Sequence, residues 1–225
     1  MKLLFRHVAS SVPVATMAVV WLAIAPAARA TPQLPVIPPN VFSILDYGGS
    51  TASADNSTAI LNAIGAARSA GGGTVVIPSG TFAANPFTIT TGTINLQIDG
   101  TLQAPTMAGF GAAANYITWS NVINVRMSGA GTIDGQGADW WSRPPIPAAS
   151  RPRLVRFNSS QTVEVTGLTT INSPSFFFAL SGSAANYTFN NLTITAPADS
   201  PNTDGIDVAG SNILITNCTI AVGDD

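Results

Sequence analysis

Four of the chain's eleven acidic residues fall within its last 22 positions. Asp204 and Asp207 lie in SPNTDGID (200–207), and Asp224 and Asp225 close the run AVGDD. Asp204 precedes that pair by 20 and 21 residues, close to the 24- and 26-residue spacing of the strand repeats described below. In stacked β-coils this sets Asp204 about one coil from the pair, and neighbouring strands lie about 4.8 Å apart. Carboxylates converging on one outer face repel one another. They therefore bind a cation or share protons, with at least one titrating above its ordinary range. A carboxylic acid beside an ionised partner is the pairing that cleaves glycosidic bonds. On spacing alone a plainer assignment stands equally open: aspartates that turn corners between strands.

Composition removes most other chemistry. The first thirty residues predict an export signal, with Lys2, Arg6 and His7 as a basic start and an apolar run at 17–25. Ala28 and Ala30 supply the spacing for cleavage before Thr31. An uncleaved anchor is the alternative, because no charge lies between His7 and Arg29; Pro13, Pro26, Ser10, Ser11 and Thr16 weigh against it. Beyond residue 30 there remain six arginines, no lysine and no histidine, for a net charge of −5. Such a chain holds no Ser-His-Asp triad, His-ligated zinc or lysine Schiff base. The single cysteine, Cys218, excludes an internal disulfide framework. The acidic balance argues against nucleic acid as a partner.

The elements that must position the acids are short strands. Only residues 56–70 show helical periodicity, with Ile60, Ala63, Ile64 and Ala67 on one face. Asp55, Asn56 or Ser57 can cap its start, and Gly71, Gly72 and Gly73 end it. A strand follows at 74–78. Further on, VRMSGAGTI (125–133), VEVTGLTTI (163–171), YTFNNLTI (187–194) and ILITNCTI (213–220) share one pattern. Each has apolar residues two apart, a turn at Gly or Asn, and a second apolar stretch ending in Ile. The repeat predicts an all-β fold: a right-handed parallel β-helix over 41–225 with a short N-terminal capping helix, behind a Pro-rich leader at 31–40. A β-sandwich competes, but tight two-residue glycine turns between paired strands are few. If Ile206 and Val208 point inward, strict alternation sends Asp204 inward too, so Gly205 must bend the chain. Asp224 and Asp225 cannot both face out of a regular strand, so a turn or bulge is expected near Gly223.

Taken in order, GTIDGQGADWW (131–141), RPRLVRF (151–157), NSPSF (172–176), NTDGID (202–207) and GDD (223–225) resemble the polygalacturonases, glycoside hydrolase family 28. The segments ILDYG (44–48) and AGGGTVVIPSGTF (70–82) are similar to that family's start and to other pectin-degrading β-helices. The resemblance implies inverting hydrolysis of α-1,4-linked galacturonic acid in pectin, with no cofactor and no obligatory metal. It implies that Asp224 is the general acid, that Asp204 and Asp225 orient and deprotonate the attacking water, that Asn202 positions them, and that Asp207 contacts sugar. Inversion requires roughly 6.5–9.5 Å between acid and base, which one coil spacing plus side-chain reach supplies. It further implies an enzyme acting on polygalacturonate or pectin and monomeric when full length, while cleavage of the signal near Ala30 predicts a secreted, extracellular or periplasmic protein without stable membrane association. The family pattern continues past the acidic pair with a Cys, a Gly-His-Gly and an Arg-Ile-Lys segment that this sequence lacks. The expectation is therefore an amino-terminal portion of a longer enzyme, or a truncated reading frame, inactive alone. Two other functions remain: a calcium-dependent pectate lyase-like β-helix with Asp204, Asp224 and Asp225 as ligands, and a non-catalytic polysaccharide-binding β-helix. The pairing of NTDG with GDD favours hydrolysis.

Other residues receive plainer assignments. Trp140 and Trp141 are expected to pack on the flank rather than stack on sugar. Phe176, Phe177 and Phe178 suit a buried turn, and Cys218, aligned with Leu168 and Leu192, a buried free thiol. Arg151, Arg153 and Arg156 have two readings, near the cleft or on solvated surface, and the plainer assignment is solvated surface. Asn56, Asn158, Asn186, Asn191 and Asn217 begin sequons, which matter only in a glycosylating host.

Overall fold

Corner residues shape the fold. Asn124, Thr162, Asn186 and Asn212 sit at φ of 54–64° where successive coils enter one sheet, and Gly129, Gly167, Asn191 and Asn217 sit at positive φ where they leave it. Glycine and asparagine enter the left-handed region at least cost, which explains their abundance between strands. The asparagines also stack: Asn212 Nδ2 donates to Asn186 Oδ1 (2.6 Å) and Asn217 Nδ2 to Asn190 Oδ1 (2.9 Å). Between these corners the computed structural model, which describes residues 31–142 and 150–224, winds into a right-handed parallel β-helix.

Three parallel sheets form its walls. The largest contains Val41–Ser43, Gly73–Ile77, Ile94–Ile98, Ile123–Ser128, Gln161–Thr166, Ala185–Asn190 and Ser211–Thr216. The six-stranded sheet contains Thr81–Ala83, Thr101–Gln103, Thr132–Asp134, Thr169–Ile171, Thr193–Thr195 and Thr219–Ala221. The five-stranded sheet contains Phe87–Ile89, Asn115–Ser120, Arg153–Asn158, Phe178–Ser181 and Ile206–Asp207. The expected repeat is in register at its start, since Val125, Val163, Tyr187 and Ile213 stack on one another. Its end is corrected by one residue. Thr170, not Ile171, stacks between Ile133 and Ile194, because the coil that begins at Val125 carries one more corner residue. Thr170 is fully buried there, and its hydroxyl finds no partner among the described residues.

Aromatic side chains fill the interior between coils. Trp119 stacks on Phe157 (6.2 Å between ring centroids), and Phe157 meets Tyr187 edge-on (5.6 Å). Helix α1 (Ser57–Ser69) caps the first coils with Ala59, Ile60, Ala63, Ile64 and Ala67 buried. Asp55, not the N-cap Asn56, accepts from the Ser57 backbone N–H (2.8 Å). Asn56 is buried, taking the Ser50 N–H and donating to the Ala83 carbonyl. At the other end Gly71 (φ 83°) and Gly72 donate back to Arg68 and Ala67 in a Schellman closure. The Pro-rich leader has no regular structure from residue 31 to 40 and crosses the largest sheet. Val36 and Asn124 exchange two 2.7 Å hydrogen bonds, and Arg126, paired with Glu164, donates to the Pro35 carbonyl. Cys218 is a free thiol at the expected inward position, half-buried rather than buried. The expected signal segment, residues 1–30, lies outside the described residues. Among the described residues no helix is long and apolar enough to cross a membrane.

Candidate active site

The five-stranded sheet breaks strict alternation in a regular way. Between outward positions three residues apart, each coil turns two consecutive residues inward: Tyr116 and Ile117, Leu154 and Val155, Phe177 and Phe178, then Gly205 and Ile206. A Cβ on Gly205 would stand 2.7 Å from the Ile220 side chain, so the bend expected there exists and glycine supplies the space. Val208 is exposed and contributes nothing to the core.

Two outward columns result. One runs Thr118, Arg156, Ala179, Asp207. The other runs Asn115, Arg153, Phe176, Asp204, as shown by the Arg153–Asn115 register and by the bonds from Leu154 N to Phe176 O and from Phe177 N to Asp204 O. Asp204 and Asp207 thus share one face, on the coil that ends both columns. Asp207 is exposed and Asp204 half-buried.

The next loop comes up against this coil. Asp224 Oδ2 accepts from the backbone N–H (3.2 Å) and the side-chain amide (3.4 Å) of Asn202, whose own backbone is left-handed (φ 55°). A Cβ on Gly223 would lie 2.1 Å from the Ser200 carbonyl oxygen, which is why the bend expected before the acidic pair must be glycine. The structure therefore unites Asn202, Asp204, Asp207 and Asp224; Asp225 lies outside the described residues.

Two further residues hold this arrangement, and sequence reasoning missed the role of each. Thr203, fully buried, donates to the Ser200 carbonyl (3.0 Å) and accepts from the Gly223 N–H (2.9 Å), joining the two acidic loops. Arg151 is not solvated surface: it is 5% exposed and donates to the Pro201 carbonyl and to Asn202 Oδ1. That second bond fixes which way the Asn202 amide faces, directing its NH2 at Asp224. Burial lowers the Arg151 guanidinium below its ordinary range. The available signals were the position of Arg151 at the head of RPRLVRF and of Thr203 inside NTDG.

Arg153 and Arg156 are likewise half-buried, not solvated, and stand in the columns. The Arg153 guanidinium lies 5.5 Å from the centroid of the Phe176 ring, which is half-buried while Phe177 and Phe178 are in the core. Arg156 is pulled below its ordinary value by burial and then by the Arg153 charge, against the opposing pull of Asp207. Of the two tryptophans, Trp140 packs as expected, edge-on to Phe110 (5.7 Å). Trp141 donates to the Ser173 carbonyl (3.2 Å) and lines two adjoining cavities of about 440 and 340 Å³. Asp134, Gln136 and Asn172 line the larger one, with Gln136 and Asn172 both at positive φ.

Similarity to known proteins bears on the family and the fold. A polygalacturonase from Nicotiana tabacum is 36% identical over 82% of this chain and 48% of its own length. An exopolygalacturonase from Zea mays is 33% identical over 84% of this chain and 48% of its own. The chain thus spans about half the length of these curated relatives. The crystal structure of a hyperthermoactive exopolygalacturonase from Thermotoga maritima, 23% identical, superposes with a TM-score of 0.77 over 87% of this chain and 55% of the other, which supports the fold. Residues 69–225 match the profile described as glycosyl hydrolases family 28. The chain belongs to that family.

Proposed function

We propose that this chain carries the catalytic carboxylates of a pectin-degrading glycoside hydrolase that cleaves α-1,4-galacturonosyl linkages with inversion. The observation that carries the reading is the docking of Asp224 on Asn202, which brings the GDD loop against the coil bearing Asp204 and Asp207. Asp224 is the general acid: its carboxyl protonates the glycosidic oxygen as the bond to the anomeric carbon breaks. Asp204, with Asp225, takes a proton from the water that attacks the opposite face, so one proton enters the leaving group and one leaves the nucleophile. Asn202 and Arg151 orient Asp224, and Asp207 meets a neighbouring sugar. The chemistry needs no cofactor. Because the chain spans about half the length of its curated relatives, the activity is proposed for the whole protein, which residues 1–30 direct to the cell exterior.

The test is reducing-end release from polygalacturonate, with the anomer of the new end followed by proton NMR. Asp224→Asn is expected to lower turnover by about 10²–10⁴-fold while oligogalacturonide binding persists. Turnover unaffected by Asp224→Asn overturns the assignment. Products that absorb in the ultraviolet and vanish with chelator overturn hydrolysis in favour of the lyase reading.

A further inference from the structure

The corner between the six- and five-stranded sheets holds a cleft that the hydrolytic step does not use. Residues 134–141, 172–173, 197–200 and 223–224 occupy this corner in four successive coils. The two adjoining cavities at Trp141 follow it along the axis. The larger is floored by Asp134, Gln136 and Asn172, and the smaller ends at Asp199 and Ser200. Ser200 supplies the carbonyl against which Gly223 of the acidic loop packs. The cleft therefore starts beside the Asp224 loop and reaches back two coils, about 10 Å at the usual strand spacing. Both volumes fall within the roughly 300–1,000 Å³ of small-molecule clefts.

Trp141 is held in place as the wall common to both cavities. Its Nε1 donates to the Ser173 carbonyl of the next coil (3.2 Å), and a Cβ on Gly137 would stand 2.6 Å from its ring. The indole is half-buried, so part of an immobilised aromatic surface faces the cleft. Beside it, Asp134 Oδ1 accepts from the Gln136 backbone N–H (3.0 Å) and the Asn172 amide (3.3 Å), while the Gln136 amide donates to the Ala104 carbonyl. A fixed aromatic wall over a floor of carboxylate and amide groups suits a ring that is apolar on its faces and carries hydroxyls on its rim. The charge of the cleft narrows the choice. Asp134 and exposed Asp139 line the larger cavity and exposed Asp199 the smaller, and among the described residues no arginine lines either. The acids are spread along the cleft, and among the described residues no three group closely enough to hold a metal ion. An ionised carboxylate entering here meets like charge without a counterion, which is unfavourable.

We propose that this cleft binds an uncharged pyranose unit of the polymer against Trp141, and that its aspartates reject the ionised uronate. Two units of a pectic polymer have that chemistry, a methyl-esterified uronate and a neutral branch sugar. The cleft thereby sets which decorated stretches of the polymer reach the catalytic acids. The proposal rests on the polysaccharide-hydrolase reading, but selective binding is measured without turnover, so the two can fail separately.

The experiment uses the protein carrying Asp224→Asn, titrated calorimetrically with three oligogalacturonides of equal length: the free acid, its fully methyl-esterified form, and the free acid bearing one xylosyl branch. Trp141→Ala is expected to weaken the esterified ligand, the branched ligand or both by about fivefold or more, leaving the free acid within about twofold. The ligand affected identifies the source of the ring. Asp139→Asn together with Asp199→Asn, both at exposed positions, is expected to tighten the free acid by about threefold or more at low salt, a gain that shrinks as salt is added. The gain is measured against Asp46→Asn with Asp99→Asn, which removes the same charge from exposed positions outside the cleft. A folded Trp141→Ala protein that weakens all three ligands equally, or none, overturns the proposal. Free-acid affinity no higher than in the Asp46 and Asp99 control overturns it whether or not Trp141→Ala folds. Selective loss of the uncharged ligands in a protein that never releases reducing ends refutes hydrolysis alone.

Discussion

Asn202 is the residue through which the site is assembled. Its left-handed backbone turns both its N–H and its amide toward Asp224, while its amide oxygen is occupied by Arg151. Arg151 is a positioning residue, acting through its hydrogen bond to Asn202 Oδ1. Arg151→Gln is expected to lower kcat about 10- to 100-fold with little change in KM, the worth of one charge-assisted hydrogen bond, and steady-state kinetics on polygalacturonate check it. A change in KM alone would instead assign Arg151 to substrate binding. In the interior, Thr170 holds a hydroxyl without a partner between Ile133 and Ile194. Thr170→Val removes that polar atom at nearly constant shape and is expected to stabilise the fold by about 1 kcal/mol, read from denaturant unfolding.

At the scale of elements, each strand is two to six residues and cannot persist alone; its neighbours above and below make it a strand. Helix α1 depends similarly on an external group, because Asp55 caps it while also binding the backbone and side chain of Asn85 beside the six-stranded sheet. Burial raises the Asp55 carboxyl, but the bonds from Asn85 and Ser57 lower it by more, and the net value falls below the ordinary 3.8. A depressed carboxyl contributes stability that is fully present above 3.8 and disappears as pH falls through the lower folded value. Asp55→Ala is therefore expected to cost about 1–2 kcal/mol near neutral pH and progressively less below 3.8, followed by thermal unfolding across that range. The helix itself was plain from its period, whereas its cap was not: three adjacent candidates had suitable side chains, and only the fold brings Asn85 to one of them.

The whole molecule is a stack in which each coil rests on its neighbours, so coupling is local along the axis. The leader is an exception. Residues 35 and 36 reach a strand almost ninety positions away through Asn124 and Arg126, tying the start of the described chain to a middle coil. Asn124→Ala is expected to speed hydrogen exchange at the Val36 amide by about tenfold or more while leaving the coils beyond Gln161–Thr166 unchanged. Uniform loss of protection along the stack would show that coupling is not local.

The sequence by itself determined that the fold is all-β and favoured a β-helix over a sandwich, because its repeated apolar runs turn at Gly or Asn with few tight two-residue hairpin signals. It also marked where to look for chemistry, through the aspartates gathered at 204, 207, 224 and 225. The tertiary structure decided which residues meet. Thr170 enters the core because its coil reaches the inward position with the same step as the coils from Tyr187 and Ile213, and pairs of consecutive inward residues turned positions 153, 156, 204 and 207 to one face. Neither effect has a period that a strand pattern can display, since both arise from how one coil seats on the next. For the same reason Arg151, Arg153 and Arg156 looked like surface: their burial is conferred by neighbouring coils and loops, and Arg151 meets its partners fifty residues along the chain.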